Sequence, residues 1–319
     1  MSRTSRPLAA TALSLSAVLA LAACGGGEEG AAASTESSSG PAEVTVTHAQ
    51  GETTVPVDPE TVVVFDVGVI STLDSLGVEI AGVPDAVYPE ALADFGGDEY
   101  PKVGSLFEPD YEAVNALEPD LIIVAGRSST VYPELADIAP TIDLTVDNTD
   151  FLASFEERTT ALAEVFGEEE AVAERLAAIE ERAAEVAEAA EGAGEALVVM
   201  TSASEVSAYG AGSRYGIVHN ELGLAPADTG LTEANHGDAV SFEYLAETDP
   251  AIMFVLDRDA AIGESGAAAE QVLDNELVRG TTAWENDDVY YLDSGVWYIA
   301  PNGLPSVEAM IEEIAAAVE

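Results

Sequence analysis

The sequence predicts an α/β protein of two similar lobes joined by a single long helix, with a ligand cleft between the lobes. Three observations predict it. Apolar strand-like runs alternate with helical periods, a self-match recurs at an offset of 131 residues, and the longest helical stripe lies between the two copies. Composition sets the frame. There are 60 Asp plus Glu against 10 Lys plus Arg in 319 residues, for a net charge of −50. So acidic a chain is no nucleic-acid binder, because that task needs a basic surface to displace counterions. Hydrophobic content of 48% with 10 Tyr equally excludes an acidic disordered chain.

Residues 1–23 read as a secretory leader: Arg3 and Arg6, then a mostly apolar run from Leu8 to Ala23, too short for a membrane span. Leu21-Ala22-Ala23-Cys24 resembles a bacterial lipobox, whose cleavage leaves a lipidated cysteine as the new N-terminus and anchors the chain outside the cytoplasmic membrane. Cys24 is the only cysteine, so disulfides, thiolate metal clusters and catalytic thiols are excluded elsewhere in the chain. Residues 24–43, rich in Gly, Ser, Ala and Glu, form a flexible tether. Beyond the leader the chain keeps 8 bases against 60 acids, a net charge of −52.

The first lobe is expected over residues 44–150. VTVTHAQGETTVPV (44–57) alternates around a Gly-Glu turn and predicts a hairpin. TVVVFD (61–66) is a buried-type strand, GVISTLDSLGV (68–78) a helix, and IAGVP (80–84) a further strand-like piece. The connecting segment is expected over 151–192. Val172, Leu176, Ile179, Ala183, Val186 and Ala190 recur at steps of three and four, so residues 168–191 predict an amphipathic helix of about 36 Å. Such a spine implies small hinge motions. The second lobe follows over 193–319.

Laying 105–127 over 236–258 aligns Glu112 with Glu243, Pro119 with Pro250 and Arg127 with Arg258. Each copy reads as a short helix, a proline-marked loop and an apolar strand ending in arginine. Ligands in open α/β sheets collect beyond the carboxyl ends of strands, so two Rossmann-like lobes that each place an arginine there predict the cleft. The plain alternative for any one arginine is pairing with abundant carboxylates, such as Asp257 or Asp259 beside Arg258. For Glu112 and Glu243 the plain alternative is complementing a helix dipole. His48, His219 and His236 show no metal-type spacing, so a metal that arrives already chelated fits better than a protein-only site. No GxSxG elbow, Walker loop, HExxH or dinucleotide fingerprint is present, so no enzyme motif marks the chain.

Six ordered stretches carry a family resemblance: FDVGVISTLDSLG (65–77), VGSLFEPDYEAVNALEPDLIIVAGR (103–127), SAYGAGSRYGIVHNELG (207–223), HGDAVSFEYLAETDP (236–250), FVLDRDAAIG (254–263) and VLDNELV…YYLDSGVWYIA (272–300). With the lipobox and the connecting helix, they resemble the ABC-transporter substrate-binding proteins for siderophores and cobalamin, most of all the catecholate-siderophore (petrobactin- and enterobactin-type) lipoproteins. That resemblance implies a periplasmic-binding-protein-like fold of the helical-backbone type and no chemical turnover. It implies no intrinsic cofactor, with an Fe(III)-siderophore as ligand. Arg127, Arg214 and Arg258 would bind the anionic iron–catecholate core, and His236 and Tyr298 would complete the iron coordination when the siderophore supplies only four donors. Glu112 and Glu243 would face arginines of the membrane permease, and the chain would act as a monomer. After Tyr298 this chain reads IAPNG, where the group has a more glycine-rich turn. Other anionic chelates (a ferric hydroxamate, a corrinoid or haem) remain open as ligands. From a different class, so does a surface metal-dependent hydrolase or iron reductase.

Overall fold

The computed structural model describes residues 42–232 and 236–319. The leader, Cys24 and the tether up to residue 41 lie outside the described residues. The hairpin is present as β1 (Glu43–His48) and β2 (Gly51–Pro56), but its turn is Ala49-Gln50, two residues earlier than the expected Gly-Glu pair. Tertiary anchoring decides this. Ala49 N donates to the Asp143 carbonyl (3.0 Å) and Gln50 Nε2 to the Asp143 carboxylate (2.9 Å), while Gly51 supplies the φ of 135° that resumes pairing.

Three short strands, β3 (Val62–Val64), β4 (Leu121–Val124) and β5 (Thr141–Asp143), pair in parallel in that order. Single bridges, Val63 to Gly82 and Val83 to Lys102, extend this sheet through the IAGVP piece. β3 and β4 are continuously apolar because both faces are covered, and β5, Thr-Ile-Asp, is buried as well. Val62, Val64, Leu121, Ile123 and Ile142 pack beneath α1 (Val67–Ser75), and Val63, Ile122 and Val124 face α2 (Tyr111–Ala116) and α3 (Tyr132–Ala136) through Val114 and Leu135.

The connecting segment folds as two helices, α4 (Phe151–Phe166) and α5 (Glu169–Ala189). The break falls at Gly167, whose left-handed φ of 68° caps α4. The apolar stripe of α5 is buried at every expected position from Val172 to Ala190.

Beyond it lie β6 (Glu195–Ser202), β7 (Glu205–Tyr209), α6 (Ile217–Asn220), β8 (Ala225–Pro226) and β9 (Asp238–Val240). These are followed by α7 (Phe242–Thr248), β10 (Ile252–Asp257), α8 (Arg258–Ala261), α9 (Ala269–Leu273), α10 (Thr282–Glu285), β11 (Val289–Tyr291) and α11 (Leu304–Val318). The sheet order is β11-β10-β6-β7-β9, with β8 beside the start of β6. β6, β10 and β11 run parallel, repeating the β3-β4-β5 arrangement, and β7 and β9 extend the sheet antiparallel.

The repeat extends to backbone detail. Asp110 and Ser241, 131 apart, cap α2 and α7 with their side chains. Each helix is followed by a strand, β4 or β10, with Arg127 or Arg258 beyond it. α11 then returns to α1. Gly68 and Gly303 meet so closely that a Cβ on Gly68 would lie 2.9 Å from the Gly303 nitrogen, and Leu304 N donates to Thr72 Oγ1 (2.9 Å). Arg175 of α5 forks onto Glu308 of α11 (2.7 and 2.8 Å) and reaches Ser75 Oγ (2.8 Å) at the end of α1. Both sheets and the helices between them therefore belong to one compact unit.

Candidate ligand-binding site

The site is organised around Tyr298. Residues Gly295–Ile299 form a single π-helical turn, closed by Ala300 N donating to the Gly295 carbonyl (3.1 Å) and started by Asp293 Oδ1 accepting from Gly295 N (2.8 Å). The turn sends Trp297 inward, fully buried with Nε1 on Glu313 (3.2 Å), and leaves Tyr298 half-buried against the apolar clusters of both sheets. Pro301 follows the closing hydrogen bond.

Three arginines converge on this ring. Arg127 leaves β4 through Gly126 (φ 47°), whose N–H donates to Thr145 Oγ1 (2.8 Å). Its Cζ lies 5.0 Å from the Tyr298 ring centre, and it donates to the carbonyls of Tyr298 and Ile299. Arg214 sits in a tight turn after β7, where Gly216 is obligatory because a Cβ would meet the Ala211 carbonyl at 2.3 Å. Its Cζ is 5.0 Å from the Tyr298 ring and 5.2 Å from the Tyr215 ring, and Nη2 donates to the Tyr298 carbonyl (3.3 Å). Arg258 opens α8, which Asp257 caps; its Nε donates to the Tyr298 hydroxyl (3.1 Å) and Nη1 to Ser202 Oγ (3.2 Å).

The electrostatics separate these arginines from the other bases. Arg175 pairs with Glu308, Arg182 with Glu185, Glu312 and Glu319, Arg279 with Asp274, and Arg158 with Glu157. Lys102 donates to the Phe95 carbonyl. Among the described residues, Arg127 and Arg214 have no carboxylate oxygen within 4.0 Å, and Arg258 has one, Asp259, at that limit. Burial, and then the charge of Arg214, pull Arg127 below the ordinary arginine range. A guanidinium stays charged regardless, so the cluster is a half-buried cationic patch on an acidic protein. It can take up an anion that offers oxygens for the N–H forks and flat rings for stacking.

The other expected residues take different places. His236 is exposed; its carbonyl accepts from Tyr209 (3.0 Å), and Tyr209 meets Tyr215 edge-on at 4.8 Å, which links the His236 backbone to the floor of the cluster. Glu112 and Glu243 are exposed in the first turns of α2 and α7. No group of three His, Cys, Asp or Glu side chains among the described residues converges as a metal site. Residue reasoning missed Ser202, Tyr215, Asp66 and Asp143. Asp66 caps α1 by accepting from Val69 N (3.0 Å), and burial pushes its carboxyl up to about 6, against the opposing charge of Arg127. Its only sequence signal was an acid between a strand and a helix, which reads simply as a cap.

Known proteins share this fold. The chain is 42% identical to the petrobactin-binding protein YclQ of Bacillus subtilis over 87% of its own length and 89% of that protein. The YclQ crystal structure superposes with a TM-score of 0.83, covering 87% of this chain and 99% of that one, at 41% identity. The ferric-anguibactin-binding protein FatB of Vibrio anguillarum is 30% identical over 85% of this chain and 86% of its own. The periplasmic catecholate-siderophore binding protein VctP of Vibrio cholerae superposes with a TM-score of 0.82 at 34% identity, covering 86% of this chain and all of that one. The periplasmic binding protein family model matches residues 62–296. The chain therefore belongs to the periplasmic binding protein family.

Proposed function

We propose that this protein captures a ferric catecholate-type siderophore outside the cell and delivers it to an ABC importer, without chemical turnover. One observation carries the reading. In a chain with 60 acids, three of the eight bases beyond the leader crowd round one tyrosine, and two of these lack a carboxylate within 4.0 Å among the described residues. The names of the relatives point the same way: petrobactin, anguibactin and catecholate siderophores are what those proteins are said to bind.

In this reading the cleft lies between an N-terminal lobe (44–150) and a C-terminal lobe (193–319). Arg127, Arg214 and Arg258 hold the catecholate oxygens and rings. His236 and Tyr298 supply the remaining iron donors to a tetradentate complex. The Tyr298 oxygen that would meet iron already has Arg258 Nε at 3.1 Å, so it keeps a cationic neighbour there. Glu112 and Glu243, one per copy of the repeat, dock on the permease, and a lipid on Cys24 keeps the monomeric protein at the membrane.

Titration with ferric catecholates and ferric hydroxamates, followed by tryptophan fluorescence, tests this. Trp297 lies 6.2 Å from Tyr215 in the floor of the cluster, so an absorbing ferric complex held there quenches it. Quenching by catecholates is expected; quenching by hydroxamates alone would overturn the assignment.

A further inference from the structure

β3, β4 and β5 end side by side, and each end carries a charge. β3 runs into Asp66, β4 into Arg127, and β5 finishes at Asp143. Phe65 N donates to the Ile123 carbonyl (2.8 Å) and Val124 pairs with Asp143, so the two acids flank the strand that launches Arg127. They are held differently. Asp143 is fully buried; its Oδ1 accepts from the N–H (3.0 Å) and hydroxyl of Thr145, and its Oδ2 from Gln50 Nε2 (2.9 Å). It positions the Gly126 loop through Thr145 Oγ1. Asp66 accepts from backbone N–H at the head of α1, and no Lys, Arg or His nitrogen lies within 4.0 Å of it among the described residues. The charged groups that face it are Arg127 and Asp143; α1 and the Asn302-Gly303 turn bring none.

We propose that Asp66 sets the charge of the ligand site. It is a carboxylate in the field of Arg127 but not ion-paired to it, and it offsets one unit of the arginine cluster and grades ferric chelates by their negative charge. This rests on reading the cluster as the chelate site. The interaction scales with the product of the charges, so Asp66 disfavours a trianionic complex about three times as much in free energy as a monoanionic one. Such a brake keeps a highly charged complex releasable. The coupling is reciprocal: a bound anion must raise the proton affinity of Asp66. Burial has already brought that carboxyl to about 6, so binding near that pH takes up protons.

The test uses Asp66→Asn and Asp66→Ser, both of which keep a side-chain cap for α1. The probes are the ferric complex of a synthetic tris-catecholate, a trianion, and that of a linear bis-catecholate, a monoanion. At pH 7.5 both variants are expected to bind the trianion roughly tenfold more tightly than the unmodified protein, and the monoanion about twofold. Calorimetry at pH 6 in two buffers of different ionisation enthalpy should show greater proton uptake by the unmodified protein than by either variant. The ligand's own protonation cancels in that difference. Equal changes for the two complexes, unchanged affinities, or weaker binding with a lowered Tm in both variants would overturn the inference and leave Asp66 a plain helix cap. If the unmodified protein binds neither complex, the reading of the cluster fails, and this inference with it.

Discussion

Glu118 and Asp249, 131 residues apart, hold the same left-handed backbone, with φ of 49° and 46°. Each follows one of the paired helices and turns the chain into the strand that leads to a site arginine. A non-glycine residue in that conformation costs roughly 1 kcal/mol. Glu118→Gly is therefore expected to stabilise the protein by about 1 kcal/mol. Asp249→Gly gains less or nothing, because Asp249 Oδ1 also accepts from Thr282 N (2.6 Å). Denaturant unfolding of both variants measures the difference.

Arg127→Ala and Arg214→Ala should each weaken a ferric catecholate by about tenfold to a hundredfold, the range expected for losing charged hydrogen bonds. Lysine at either position should recover little, because an ammonium neither forks onto paired oxygens nor stacks on Tyr298 as a plane. Arg279→Ala, at an exposed pair with Asp274, serves as the control and should leave affinity unchanged. Fluorescence titration reads all five.

Under the proposed function, His236→Ala and Tyr298→Phe weaken tetradentate ferric complexes much more than hexadentate ones, which already fill the iron coordination sphere. Loss of the ligand-to-iron charge-transfer shift on adding the tetradentate complex should accompany the Tyr298 change. Equal losses for both complexes would mean that neither residue reaches the iron.

Asp66 has a consequence for stability with a definite sign. Its carboxyl, ordinarily near 3.8, stands at about 6 in the folded protein because of burial, so the folded state binds the proton more tightly than the unfolded state. This destabilises the fold as pH rises from about 4 through 6 and is absent below that window. Asp66→Asn should therefore be more stable than the parent at pH 7 by at most about 3 kcal/mol, with the gap closing near pH 4. Thermal melts across that range check it.

Long-range charge acts against the local cluster. Under the proposed function, the acidic surface repels an anionic chelate, while Arg127, Arg214 and Arg258 attract it at close range. Raising salt from low values should first speed capture by screening the surrounding acids, and then slow it once the site itself is screened. Stopped-flow quenching over a salt series measures the on-rate; a rate that only falls with salt would contradict the picture.

Much of the scaffold was legible because its signals are local. The strands around Ile122 and Phe254 are unbroken apolar runs, and the α5 stripe from Val172 repeats at helical steps. The hairpin turn was misplaced because Asp143, far along the chain, decides it. The periodic stripe sets a helix over 168–191, which begins just beyond the break at Gly167, and carries no signal for α4 before it. In the site, Arg127 and Arg258 carried a repeat signal, whereas Arg214 sits in a turn without a counterpart. Tyr298 lies in a π-turn, which has no period to detect. Asp66 and Asp143 are two acids among 60, and only their position beside β4 distinguishes them.

The contact of Gly68 with Gly303 also joins two stretches of the core that lie 235 residues apart (303 − 68) in the chain. The apolar cluster of the N-terminal sheet includes Ile299 and Ala300, and Gly303 and Leu304 pack on α1. The N-terminal half alone therefore lacks part of its core, and a fragment cut before Ile299 leaves an open apolar seam.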